Sequence, residues 1–350
     1  MRKEIKIADR PVGGDNPVYV VAEMSANHLQ SYDRAVQIIH AAAEAGADAI
    51  KLQTYTADTI TIDSDEPCFR ITGGTIWDGT TLYKLYKEAY TPWEWQPDLC
   101  AEASKLGLDC FSSPFDPTAV AFMEEMKMPA YKIASYEITD IPLIRLVASK
   151  GKPVILATGV ATEGDIKLAI DACLGEGNDQ IILLKCVSAY PTPYEDMNLR
   201  MIPTLQNKFG VVTGLSDHSA GSAASVAAVA LGARMIEKHL TLKRSDGGPD
   251  GAFSMEPEEF ARMVTDIRIA EKALGKSEYC LTPQQERERG GARSLFVVKD
   301  VKKGDELTPL NVRSIRPGDG LPPIDEPLVY GSHAKHDLKR GTPLKKEDFL

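Results

Sequence analysis

Polar and ionisable side chains recur along this chain at positions where a buried strand would end. Glu23 is followed by Asn27 and His28, Lys51 by Gln53, and Ser112 by Ser113. Lys132 precedes Ser135 and Glu137, Thr158 precedes Gly159, and Lys185 precedes Cys186, Ser188 and Tyr190. Ser216, Asp217 and His218 run together, and Glu237 precedes His239. Lysines with hydroxyls and amides are what a phosphate or carboxylate needs for binding. Two imidazoles at neighbouring strand ends can converge on one divalent cation, whose identity the sequence leaves open. A carboxylate close by can direct water or move a proton.

Each residue alone has a plainer reading. Lys51 also reads as a structural ion pair with Glu23, and His218 as a capping or core histidine. Cys186 has no basic partner at suggestive spacing and reads as a small buried filler. His40 reads as solvated, and His333 and His336 as surface residues. No GxSxG elbow is present, so an acyl-transfer triad is not indicated. Taken together the plain readings fail, because so many buried charges at one rim are prohibitive unless a ligand, ion or water satisfies them.

The elements that must position these residues are short β-branched runs alternating with helical patterns between residues 17 and 275. The expected strands are Val18–Glu23, Ala49–Gln53, Asp109–Ser112, Ala130–Ile133, Pro153–Ala157, Ile181–Lys185, Val211–Leu215 and Met235–His239. Ala35, Ile38, Ile39 and Ala42 share one face of the first helix. Phe260, Met263, Val264, Ile267 and Leu274 share one face of the last, which Gly275 terminates. Eight such units fit a closed (β/α)8 TIM barrel. An open doubly wound sheet would want a GxGxxG turn after the first strand, where this chain reads EMSANHLQS. The long second connection, residues 54–92, is expected to be ordered and functional because it is aromatic: Trp77, Tyr83, Tyr86 and Tyr90.

The barrel is expected over 1–280, a polar linker over 281–292 and a small β-rich domain over 293–350. The last holds an internal repeat, DVKKGDELTPLNV (300–312) against DLKRGTPLKKEDF (337–349). Each copy reads as strand, turn at Gly304 or Gly341, then a short helical turn, giving a module with pseudo-twofold symmetry.

The chain has 350 residues, 43% of them hydrophobic, and a formal net charge of −10. That balance disfavours nucleic acid and anionic membrane as partners without excluding a small anionic substrate. Six cysteines without CxxC or zinc-type spacing, no apolar signal-peptide core and no run of membrane-spanning length point to a cytoplasmic protein with reduced thiols.

The segments EMSANH (23–28), KLQTY (51–55), SSPFD (112–116), YKIAS (131–135), ATG (157–159), SAYPTP (188–193), GLSDH (214–218), EKH (237–239) and GGPDGAFS (247–254) together resemble the sialic acid synthase family. RSLFV (293–297) and IRPGDGL (315–321) are similar to its C-terminal domain, which is like type III antifreeze protein and is called SAF. EMSANH and the insert at 73–95 look most like the pseudaminic acid branch. Leu29 departs from that branch, and Ser188 stands where the sialic acid synthases have asparagine.

The resemblance implies condensation of phosphoenolpyruvate, water and a 2,4-diacetamido-2,4,6-trideoxy hexose to a nine-carbon 2-keto sugar acid and phosphate. It assigns a divalent metal, Mn2+ first and Mg2+ or Co2+ as alternatives, to His218 and His239. Phosphoenolpyruvate would be held by Lys51, Gln53, Ser113, Lys132, Ser135, Thr158 and Ser216. Glu137 would direct the water, with Glu23 as the second choice or as a stabiliser of developing positive charge. Ser188, Tyr190, Asp250 and Arg316 would hold the sugar, Arg316 from the partner in a domain-swapped homodimer. The rivals are legionaminic or N-acetylneuraminic acid synthesis, a Schiff-base pyruvate aldolase using Lys132 or Lys185, and a carbohydrate- or ice-binding protein using the tail module.

Overall fold

The computed structural model describes residues 3–350. These form two compact units that divide after Gly275.

The first elements are an antiparallel hairpin, β1 (Glu4–Ile7) and β2 (Arg10–Gly13), absent from the strands expected above. Among the described residues, eight parallel strands then close into a barrel. They are β3 (Tyr19–Glu23), β4 (Ala49–Thr54), β5 (Asp109–Pro114), β6 (Tyr131–Ile133), β7 (Val154–Ala157), β8 (Ile181–Lys185), β9 (Val212–Asp217) and β10 (Met235–His239). β10 pairs with β3 from Met235 opposite Tyr19 to His239 opposite Glu23, so the sheet is closed and the doubly wound alternative falls. β5 and β9 run two residues beyond expectation, which brings Ser113, Ser216 and Asp217 into the ladder.

Alternation along each strand sorts the interior into levels. The lower level is apolar: Tyr19, Val21, Phe111, Ile155, Ile182 and Val212 cluster with Ile5, Ile7 and Val12 of the hairpin. The hairpin therefore closes the N-terminal mouth. Arg10 at its tip pairs with Asp48 at 3.1 Å and Asp109 at 3.5 Å. Gly214 is tightly packed inside the wall, where a Cβ would strike the Met235 carbonyl and the Leu184 side chain.

The helices cover the outside with the expected faces. Tyr32–Glu44 buries Ala35, Ile38, Ile39 and Ala42, and its start is capped by Ser31 accepting from Arg34 N–H. Pro257–Leu274 buries Phe260, Met263, Val264 and Ile267 before Gly275 ends it at φ +55. Leu274, expected on that face, is instead 52% exposed, because it falls in the last turn beyond the barrel wall. The connection 54–92 is ordered, with helices Ala57–Ile60 and Leu82–Ala89 and a bridge between Arg70 and Thr81.

In the second unit, 281–292 is not a bare linker. Thr282 and Gln285 form a capping box for a helix at Pro283–Glu288. β11 (Ser294–Val297) pairs antiparallel with β12 (Val312–Ile315). The repeat copies meet at a single antiparallel bridge, Val301 with Leu338, rather than as full strands. Their symmetry is reciprocal. Asp337 takes Lys302 Nζ and Lys303 N–H at 2.9 Å each, and Asp300 takes Lys339 Nζ at 3.2 Å and Arg340 N–H at 2.8 Å. Gly304 and Gly341 turn at φ +90 and +92.

Candidate active site

The C-terminal mouth of the barrel opens into a cavity of about 590 Å³. Its floor is the polar top level of the strands. Lys51 Nζ lies 2.6 Å from Glu23 and 3.6 Å from Glu237, and Lys132 Nζ lies 4.0 Å from Glu237. Ser216 donates to Glu237 at 3.0 Å. Gln53 Nε2 donates to Glu23 and to Ser25 Oγ, both at 3.0 Å, and Ser25 donates to Asp250. Five strands thus feed one charged network, and Glu237 sits between its two ammonium groups.

Burial dominates the titration of this floor. It raises Glu23 to about 7, with Lys51 opposing and Glu237 adding to the rise. It works against the Lys51 charge, but the Glu23 and Glu237 carboxylates outweigh it and hold that lysine above its ordinary value. Lys132 is lowered by burial, with Glu237 only partly offsetting it. Glu237 goes the other way: burial would raise it, yet the two lysines bring it below the usual carboxylate value. Glu137 is lifted to about 7 by burial, against the pull of Lys132.

His218 and His239 follow adjacent strands, their ring centroids 5.3 Å apart. His218 Nδ1 is 3.1 Å from the Val187 carbonyl, which places a proton on Nδ1; burial opposes a charge on this ring, but Cys186, that carbonyl and Glu237 outweigh it and raise the imidazole above its ordinary value. His239 is lowered well below its ordinary value by burial and by nearby positive charge, and so stays neutral. Its Nδ1 has no hydrogen bond and lies 3.9 Å from Asp250. A neutral imidazole with an unpartnered nitrogen beside a second imidazole suits a divalent cation. Among the described residues, no group of three or more His, Cys, Asp or Glu side chains is placed to cage a metal. The pair fits an open site completed by water and substrate oxygens, not a closed structural one. A buried ion pair on the outer face, Lys238 to Asp217 at 2.9 Å, ties the two strand ends together.

Of the residues expected from sequence, Glu23, Lys51, Gln53, Lys132, Ser135, Glu137, Tyr190, Ser216, His218, His239 and Asp250 line this cavity. Ser113, Thr158 and Ser188 stand outside its lining. Ser113 is buried opposite Gln53 in the ladder, where Lys51 Nζ reaches its hydroxyl at 3.5 Å, and Thr158 donates its hydroxyl to the Leu184 carbonyl at 3.0 Å. Ser188 packs against Gly159, where a Cβ would run into the Ser188 and Ser135 hydroxyls. Arg316 belongs to the other unit, exposed on its surface.

Several participants were missed or misread. Glu237 reads from sequence as a strand position only; its place between Lys51 and Lys132 follows from barrel closure. Ser25, Tyr55 and Phe115 were not singled out. Cys186, expected to lack a basic partner, stands 3.9 Å from His218 Nδ1. Burial would raise its thiol, but the imidazole brings it down to about 7. Lys185 donates to the Cys186 carbonyl at 2.7 Å. His28 and His40 are structural: the first meets Thr91 at 3.2 Å and the second Glu102 at 2.9 Å. His336 pairs with Asp348 on the second unit's surface.

The chain matches the NeuB family over residues 38–279 and the SAF domain over residues 292–350. It is 46% identical over 335 residues to the pseudaminic acid synthase of Campylobacter jejuni subsp. jejuni serotype O:23/36, covering 96% of this chain and 97% of that one. It is 34% identical to the N,N'-diacetyllegionaminic acid synthase of Legionella pneumophila, covering 96% and 95%. A crystal structure of the N-acetylneuraminic acid synthetase of Leptospira borgpetersenii, in complex with citrate, aligns at TM-score 0.74 and 33% identity, covering 81% of this chain and 94% of that one.

Proposed function

This chain belongs to the NeuB family, and we propose that it is a pseudaminic acid synthase, joining phosphoenolpyruvate to 2,4-diacetamido-2,4,6-trideoxy-L-altrose and water to give pseudaminic acid and phosphate. The observation that carries this reading is the juxtaposition, at one barrel mouth, of the Lys51–Glu237–Lys132 network with the His218 and His239 pair. Relatives bearing that activity at 46% identity favour the altrose isomer over the sugars of the legionaminic and neuraminic enzymes.

Lys51 and Lys132 neutralise the phosphate and carboxylate of the enol, and Gln53, Ser135 and Ser216 orient it by hydrogen bonds. Glu237 keeps both ammonium groups charged until that anion arrives. His218 and His239 would hold the divalent cation, Mn2+ in this reading with Mg2+ or Co2+ as alternatives. When bound, it supplies Lewis-acid polarisation of the sugar's aldehyde oxygen. C3 of the enol then bonds to the aldehyde carbon, and positive charge develops at C2 beside Glu23. Glu137 takes a proton from the water whose oxygen adds to C2, the sugar's new alkoxide takes up a proton, and phosphate leaves with the former bridging oxygen and the proton of the C2 hydroxyl as C2 becomes the ketone. Tyr190 and Asp250 line the sugar's side of the cavity. The reading extends to a cytoplasmic homodimer with exchanged SAF domains, Arg316 serving the partner's sugar site.

The test is phosphate release from phosphoenolpyruvate with a panel of amino sugars. The diacetamido altrose is expected to be fastest, ahead of its manno isomer and N-acetylmannosamine, and a chelator should abolish release until Mn2+ is restored. Faster turnover of N-acetylmannosamine, or full activity in chelator, overturns the reading. Pyruvate and borohydride should leave no adduct on Lys132 or Lys185; an adduct would favour the aldolase.

A further inference from the structure

The long connection after β4 carries Trp77 across the mouth of the barrel. Its turn is firmly built: Asp78 accepts from Gly74 N–H at 2.9 Å and from Thr75 N–H and Oγ1 at 2.8 Å. From it, Trp77 Nε1 donates to the Pro249 carbonyl at 2.8 Å, in the loop after β10. The indole's single donor is therefore engaged by protein, and its remaining surface offers a ligand carbon alone.

Trp77 is also linked to the histidine pair through aromatic rings. Its centroid lies 5.4 Å from Tyr190 and 6.5 Å from Phe253; Tyr190 lies 4.4 Å from His218, and Phe253 lies 5.0 Å from His239. Ile60, Ile71, Leu82 and Leu85, from the same connection, also line the cavity. One cavity thus has a charged floor and an apolar upper wall. Two ring-to-ring steps, of 5.4 and 4.4 Å, lead from Trp77 through Tyr190 to His218. A sugar with its aldehyde at the histidines would extend along this wall toward Trp77.

We propose that Trp77 is a specificity-determining residue, forming with Tyr190, and buttressed by Phe253, an apolar wall that reads the deoxygenated C6 end of the sugar. The inference rests on the altrose reading above and deepens it. A C6 methyl gains contact with ring carbon, whereas a C6 hydroxyl against the indole would exchange water for ring carbon. A pocket of this kind discriminates against an added hydroxyl by on the order of 100-fold.

The experiment compares kcat/KM for the 6-deoxy diacetamido altrose and for the same sugar bearing a 6-hydroxyl, in wild type, Trp77→Gln and Trp77→Leu. Wild type should prefer the deoxy sugar by about 100-fold. Trp77→Gln should narrow that ratio to within about threefold by raising the KM for the deoxy sugar, with the KM for phosphoenolpyruvate within about twofold. Trp77→Leu, which keeps an apolar side chain, should retain most of the preference. A wild type that uses both sugars equally overturns the proposal even if a variant does not fold. So does a Trp77→Gln protein with the ratio intact, or one whose phosphoenolpyruvate KM rises with the sugar's. A wild type inert with both altrose sugars but active on another overturns the altrose reading beneath it.

Discussion

The two mouths of the barrel are built from the same eight strands and have opposite contents. At the N-terminal mouth Val21, Phe111 and Ile182 meet Ile7 and Val12 in a dry, closed cluster. One step up, Glu23, Lys51, Lys132 and Glu237 are just as buried, with Glu23 Oε2 met by Lys51 Nζ at 2.6 Å and Glu237 Oε2 lacking a hydrogen-bond partner. Apolar burial contributes folding free energy at the lower mouth. At the upper mouth the desolvated charges oppose folding, and they make sense as a preorganised receptor for an anion. Ordered packing below is what lets the charges above be held in place.

That contrast can be broken most severely at Lys51. Lys51→Met should lower kcat/KM by about 1000-fold or more, corresponding to about 4 kcal/mol of transition-state stabilisation. Residual activity within tenfold of wild type would mean that the floor is structural. Glu137 sharpens the comparison through pH. Its carboxyl, raised to about 7 by burial, must be ionised to accept a proton, so kcat should fall as pH drops below about 7. Glu137→Gln should be slow and lose that acidic limb; an unchanged limb would move the role to another group. The smallest kinetic effect is expected at the lower mouth. Ile7→Ala should cost about 2–4 kcal/mol in urea unfolding, with kcat and both KM values within about twofold of wild type. A kinetic defect there would show that the two mouths are coupled.

The barrel was legible because alternation of β-branched runs with amphipathic helices repeats across the chain. The hairpin was not: EIKI and RPVG are four residues each, and Pro11 weakens the second as a strand signal. The helix at Pro283–Glu288 was hidden because it is polar all round, although Thr282 and Gln285 spelled out its capping box. At the site, residue types at strand ends identified most of the cavity lining, since charge where packing wants valine is conspicuous. Glu237 escaped because its partners, Lys51 and Lys132, lie far away in sequence and meet it only through the pairing of β10 with β3 and β9. Cys186 and His218 are hidden in the same way, 32 positions apart on neighbouring strands. At Thr158 the sequence shows a hydroxyl but not the Leu184 carbonyl to which it donates.

The hairpin beneath β3 and β9 has a consequence for traffic. With Ile5, Ile7 and Val12 sealing one end, whatever goes deepest must arrive first and depart last. The ammonium groups lie at the bottom of that cul-de-sac and the indole at its rim. If the proposed substrates bind there, loading is expected to be ordered, the small anion preceding the bulky saccharide, with excess saccharide inhibiting as a cork; initial-rate patterns that show random addition would refute it.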